Sequence, residues 1–70
     1  MPAAPPSLAL KWGDDHVAIR YLLHRDFKFA KDGRIFYPKH YILDPEAESA
    51  LDYLVHEWDY AVVREQATDY

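Results

Sequence analysis

The most regular hydrophobic pattern of the chain lies in its C-terminal half. Between residues 47 and 62, apolar side chains recur mostly at alternating intervals of three and one residues, which places them along one side of a helix. The segment Asp44-Pro45-Glu46 is typical of a helix start. Asp caps the first turn, Pro fits the first helical position, and a carboxylate favours the positive end of the helix dipole. The pattern predicts one long helix from residue 45 to about residue 64.

A second interpretation of this region divides it into a helix and a strand. Tyr60, Val62 and Val63 favour extended structure. In that interpretation the helix ends near Glu57, and residues 60–64 form a strand.

The middle of the chain carries the pattern of a β-hairpin. Hydrophobic and polar residues alternate over residues 27–31 and again over 34–37, with Asp32-Gly33 between them. An Asp-Gly pair is typical of a two-residue type I′ turn. Pro38 interrupts the second strand, and residues 39–43 can resume as a short strand that leads into the helix.

The segment from Asp14 to Asp26 fits either a strand or a helix. As a helix it has an Asp cap and good helix formers, whereas as a strand it places Val17, Ile19 and Tyr21 on one face. Upstream, residues 8, 10 and 12 also alternate, and residues 13–15 suit a turn. We favour the strand.

These elements predict a small two-layer α+β domain. The favoured layout is an antiparallel meander of about four strands packed by one long C-terminal helix. The alternative order is β-α-β-β-α, with its first helix at residues 15–25. Residues 1–7, with three prolines, are expected to form a flexible tail, and residues 8–70 a single domain.

Composition limits how such a domain can be stabilised. With 70 residues and no cysteine, it lacks disulfides and thiolate metal sites and must rely on packing or association. Two Trp, six Tyr and three Phe supply large side chains for a compact core. No signal peptide and no apolar run long enough for a membrane span are recognisable, so we expect a cytoplasmic protein that does not bind membranes.

The net charge of −4 conceals an uneven distribution of charge. Residues 1–19 carry a balance of −1, residues 20–43 a balance of +4, and residues 44–70 a balance of −7. A basic hairpin region is therefore followed by an acidic helix.

The acidic helix supports the leading functional hypothesis, a protein–protein interaction module such as an inhibitor, adaptor or accessory subunit. Acidic residues, and tyrosines that flank the apolar stripe, suit contact with another protein or with a second copy in a homodimer. The expected partner-binding residues are Asp52, Tyr53, Glu57, Asp59 and Tyr60.

The basic hairpin supports an alternative, binding of single-stranded nucleic acid. Cations can hold phosphates while aromatic rings stack on bases. The residues expected in that case are the cations Arg20, Arg25, Lys28, Lys31, Arg34 and Lys39, with Phe27, Phe29 or Phe36 as stacking platforms.

The sequence offers little support for catalysis or metal binding. The four histidines lack the spacing of a helical zinc site, and no serine lies in a nucleophile elbow. A chain this short also leaves little room for a ligand pocket of ~300 Å³ or more. We therefore expect no enzyme activity, no metal, no cofactor and no small-molecule substrate.

Overall fold

The computed structural model describes residues 11–64. They form a small α+β fold of two helices and one three-stranded sheet. In chain order, the elements are α1 (Asp15–His24), β1 (Lys28–Phe29), β2 (Arg34–Phe36), α2 (Pro45–Trp58) and β3 (Ala61–Val63).

The favoured strand at residues 14–26 is wrong, because this segment forms α1. Asp14 caps the helix, its carboxylate accepting a hydrogen bond from the Val17 N–H at 3.3 Å. Ala18 and Leu22 lie four residues apart on one face and are fully buried. That burial overrides the strand preference of the β-branched residues.

The predicted strand around residues 8–12 also differs from the structure. Lys11 and Trp12 have helical rather than extended backbone, and residues 8–10 lie outside the described residues. The Pro-rich tail, residues 1–7, lies outside them as well.

The predicted hairpin is confirmed. β1 and β2 are antiparallel, with Lys28 opposite Phe36 and Phe29 opposite Ile35. The turn is not type I′, because Asp32 lacks a positive φ and only Gly33, at φ 92°, is left-handed. This one left-handed glycine suits a loop of three residues instead.

The last part of the chain follows the helix-then-strand alternative, so the prediction of one helix to residue 64 is wrong. α2 ends at Trp58, and Asp59 adopts a left-handed conformation with φ 63°. β3 then pairs in parallel with β2, with Ile35 opposite Val62. The sheet order is β1-β2-β3, and α2 forms the crossover between the two parallel strands.

The sheet is therefore mixed and three-stranded rather than an antiparallel four-stranded meander. Residues 39–43, expected as a further strand, lie in a loop. The observed order also differs from the β-α-β-β-α alternative over the described residues, although its first helix is present.

One hydrophobic core lies between the two helices and the sheet. Phe27, Leu22, Ile35, Leu51 and Leu54 are its largest fully buried side chains. Ala47 and Ala50 have no exposed surface, and their small side chains let α2 approach its neighbours closely. Within residues 11–64, neither helix has the length and apolar character needed to cross a bilayer.

Candidate functional site

The N-terminal end of α2 is held by a network around Glu48. Its Oε2 accepts hydrogen bonds from the hydroxyls of Tyr37, at 2.9 Å, and Tyr41, at 3.0 Å. Arg64 donates from Nη1 to the Tyr37 hydroxyl at 2.6 Å. Burial and the Glu48 hydrogen bond raise the pKa of Tyr37 to about 12. These hydrogen bonds connect α2 to Tyr37, which follows β2, and to Arg64, which follows β3.

Asp44 fixes the same end of α2. Its carboxylate accepts hydrogen bonds from the Glu46 N–H, at 3.0 Å, and the Tyr21 hydroxyl, at 2.7 Å, and lies 3.4 Å from Arg25 Nε. The Tyr21 hydrogen bond is the main cause that lowers the pKa of Asp44, and the same bond raises the pKa of Tyr21. Asp44 thus joins α1 to the start of α2.

An open groove of about 800 Å³ lies beside this junction. We call it the basic groove, because the cations along it, Arg25, Lys28 and Lys39, outnumber its two acids. From the chain length we expect little room for a pocket of ~300 Å³ or more, and the groove is larger than that. The residues that line it are His24, Arg25, Asp26, Lys28, Pro38, Lys39, His40, Tyr41, Ile42 and Asp44.

Ile42, which lines the basic groove, and its sequence neighbour Leu43 are two exposed aliphatic residues. Ile42 is 84% exposed and Leu43 is 73% exposed. Single exposed aliphatic residues are common on protein surfaces, but a contiguous pair beside a concave surface is typical of an interaction site.

The C-terminal end of α2 forms the second notable surface, which we call the acidic end (Glu57, Trp58 and Asp59). Trp58 is 45% exposed between its two acidic neighbours in the sequence. Within residues 11–64, the Glu57 side chain has no hydrogen bond or ion pair. The acidic end therefore combines open negative charge with a large apolar ring.

The predicted partner-binding residues do not share one face of α2. Asp52 and Glu57 are exposed, but five residues separate them, which is about 140° around a helix. Tyr53 is only 3% exposed and belongs to the core, so it presents almost no surface to a partner. Tyr60 is half-buried, with its ring 6.0 Å from that of Phe29. Of the predicted set, Glu57 and Asp59 remain close to one another.

The predicted stacking platforms of the nucleic-acid alternative are largely occupied. Phe27 is 1% exposed, Phe29 packs edge-on against Tyr60, and Phe36 is half-buried beneath the Arg34 guanidinium at 5.2 Å. A ring that is already covered cannot stack on a base.

The six cations of that alternative are also divided among different parts of the fold. Arg25, Lys28 and Lys39 line the basic groove, whereas Arg20 is exposed on α1. Lys31 lies in the hairpin turn, and Arg34 pairs with Asp32 at 2.9 Å. They do not form one continuous surface with exposed rings.

Sequence reasoning missed the exposure of Trp58 and of the pair Ile42 and Leu43. Trp58 belongs to the predicted apolar stripe of residues 47–62, but α2 ends at that residue. The signal that pointed to an early helix end, the Tyr-Ala-Val-Val run after Asp59, would also have indicated an exposed Trp58.

Within the described part of the chain, no three histidine or acidic side chains come together as a metal site. Comparisons of the chain with protein-family models, with curated proteins and with solved structures found no match.

Proposed function

We propose that the protein is a protein–protein interaction module whose contact surface is the acidic end of α2. The observation that carries this proposal is the exposure of Trp58, at 45%, between two carboxylates. Tryptophan supplies a large apolar area and an N–H donor, and it is among the residues that dominate binding energy at interfaces.

The position of the two acids supports a role outside helix stability. Carboxylates near the C-terminal end of a helix face its negative pole, which costs about 0.3–1 kcal/mol each at an exposed position. Glu57 gains no compensating ion pair within residues 11–64. A cationic partner surface would supply the missing charge and would also raise the rate of encounter.

The carboxylates and the indole ring of the acidic end indicate the chemistry of its partner. A suitable partner presents lysine or arginine side chains around an apolar recess that can receive the indole ring. Another protein meets this description better than a nucleic acid does, because phosphates would be repelled by the acidic end.

Binding of single-stranded nucleic acid is the weaker candidate. Arg25, Lys28 and Lys39 favour it, but Asp26 and Asp44 lie along the same groove, and Phe27 is buried. Titration with a labelled oligonucleotide at ~50 mM salt tests it, since phosphate contacts are strongest at low ionic strength. Absence of binding there would exclude this candidate.

The interaction proposal is tested by affinity capture with the tagged full chain and three variants. Trp58→Ala and Glu57→Lys change the acidic end, whereas Asp52→Lys makes the same charge reversal on a different side of α2. We expect the first two variants to lose the partners that the original chain recovers and the third to retain them. If only Asp52→Lys loses the partners, the contact surface lies on the Asp52 side of α2. If all three variants retain the partners, the proposal is refuted.

A further inference from the structure

We propose that the basic groove receives the acidic end of a second copy of this chain, so that the protein forms a two-fold dimer. This inference rests on the proposed function, because it names the partner of the acidic end. It also gives a role to the basic groove and to its exposed aliphatic pair.

Charge complementarity is the first argument. Among the residues that line the groove, Arg25 and Asp44 already pair with each other, which leaves Lys28 and Lys39 as cations against the single acid Asp26. Within residues 11–64, Lys28 makes no ion pair. The acidic end brings Glu57 and Asp59 and therefore supplies the opposite charge.

The apolar groups of the two surfaces match as well. Ile42, which lines the groove, is 84% exposed, its sequence neighbour Leu43 is 73% exposed, and Trp58 is 45% exposed at the acidic end. Contact between the indole ring and Ile42 would remove apolar surface of both from water, while the charges around them favour one orientation.

The length of α2 shows that the two surfaces must meet between molecules. Asp44, which lines the groove, is the N-cap of this 14-residue helix, and the acidic end follows its last turn. At ~1.5 Å per residue the helix separates them by about 20 Å. One copy therefore cannot insert its own acidic end into its own groove.

An antiparallel arrangement satisfies both surfaces at once. If the α2 helices of two copies run in opposite directions, each acidic end lies beside the other copy's groove. The two contacts are then equivalent and the assembly closes as a dimer rather than growing into a filament. A 70-residue chain buries a smaller fraction of its surface than a larger domain does, so such association would add to its stability.

Sedimentation equilibrium of the full chain is the first test. We expect the average mass to rise with protein concentration from that of an 8.2 kDa monomer to that of a dimer, and the association to weaken as salt increases. A mass that continues to rise beyond the dimer would overturn the closed arrangement.

Charge reversal on each surface supplies the decisive test. Lys28→Glu in the groove and Glu57→Lys at the acidic end should each weaken dimerisation by about tenfold or more, because each places like charges together in both contacts. Arg20→Glu is the matched control, since Arg20 is exposed on α1 outside the groove. It should dimerise like the original chain.

Mixing the two weakened variants distinguishes direct pairing from loss of folding. In a mixed dimer, the reversed groove meets the reversed acidic end, and the other contact keeps its original charges. Association should therefore return to near its original strength, which an unfolded variant could not achieve. Failure of the mixture to associate, while each variant keeps its far-ultraviolet circular dichroism, would overturn the pairing.

Ile42→Ser tests the apolar part of the contact independently of charge. We expect it also to weaken the dimer, and an unchanged dimer would remove Ile42 from the interface. A chain that stays monomeric up to ~1 mM would refute self-association. The proposed function would remain open to its own test, because capture of another protein through Trp58 does not require a dimer.

Discussion

The two ends of α2 differ in how their acidic residues are used. At the N-terminal end, Asp44 is held by Tyr21 and Arg25, Glu46 by Lys11, and Glu48 by two tyrosines and Arg64. At the C-terminal end, Glu57 has no such partner within the described residues.

The helix dipole makes this difference informative. Acids at the start of a helix stabilise it, and acids at its end oppose it. The stability of the fold therefore explains the acids at the N-terminal end of α2, but it does not explain those at the C-terminal end. This contrast separates residues that build the molecule from residues available to a partner.

The largest expected effect on stability is the difference between substitutions of two aromatic residues of α2, Tyr53 and Trp58. Tyr53→Ala should lower the free energy of unfolding by about 3–5 kcal/mol, because a ring that is 3% exposed would leave a cavity. Trp58→Ala, at 45% exposure, should cost about 1 kcal/mol or less. Urea denaturation of both variants measures the difference. Equal losses would mean that Trp58 is a core residue and would remove the basis of the acidic end.

A second comparison concerns two acids on α2. Glu48→Ala removes the acceptor of the Tyr37 hydroxyl and the nearer of the two acceptors of the Tyr41 hydroxyl, and it should cost about 1–3 kcal/mol. Asp52→Ala, at an exposed position, should change stability by about 0.5 kcal/mol or less. Thermal denaturation at neutral pH provides the measurement, and similar losses would contradict the division between the two groups of acids.

The pH dependence of stability tests the Glu48 network more closely. The pKa of Tyr37 is about 12 in the folded chain and about 10 in the unfolded chain. Between these values only the unfolded form loses the proton, so the stabilisation present below pH 10 declines as the pH rises towards 12.

Tyr37→Phe removes this titration. The stability advantage of the original chain over Tyr37→Phe should therefore shrink by about 1–2 kcal/mol between pH 10 and pH 12. Urea denaturation curves for both chains across that range give the two free energies. A constant difference would show that the hydroxyl is not buried in the network.

The smallest expected effect is a gain of stability from substitutions at the C-terminal end of α2. Glu57→Lys should stabilise the fold by about 0.3–1 kcal/mol, because it replaces an unfavourable charge at the negative pole of α2. Asp59→Gly should add about 1 kcal/mol, since Asp59 holds a φ of 63° that glycine adopts freely. Thermal denaturation at a protein concentration low enough to keep the chain monomeric measures both changes, because Glu57→Lys is also expected to weaken the dimer. Destabilisation of the monomer by both changes would indicate that the acidic end serves the fold.

Local signals in the sequence were sufficient for part of this fold. The Asp-Pro-Glu start of α2 and the Asp-Gly hairpin depend on neighbouring residues, and both are present. The choice between strand and helix for α1 depends instead on what its side chains pack against. Ala18 and Leu22 fit under the rest of the core only with helical spacing, which local propensity does not reveal.

The candidate surfaces also divide into features that the local sequence indicates and features that depend on packing across the fold. Glu57 and Asp59 were identifiable because charged residues stay exposed, whereas Tyr53 depended on whether the sheet and α1 covered its side of α2. The basic groove was not identifiable, because it joins residues 24–28 to residues 38–44 across the fold. The exposure of Ile42 and Leu43 follows from the loop that replaced the predicted strand.

The parallel pairing of β2 and β3 has a consequence for how the molecule opens. Ala61 donates its N–H to the Gly33 carbonyl at 2.9 Å, across a connection that contains the whole of α2. We expect such a non-local pair to form late in folding, because its loop-closure entropy is offset only once the intervening helix is compact. Loss of this pairing exposes the edge of β2 that β3 covers, and hydrogen exchange of the Ala61 amide measures how often the pairing opens.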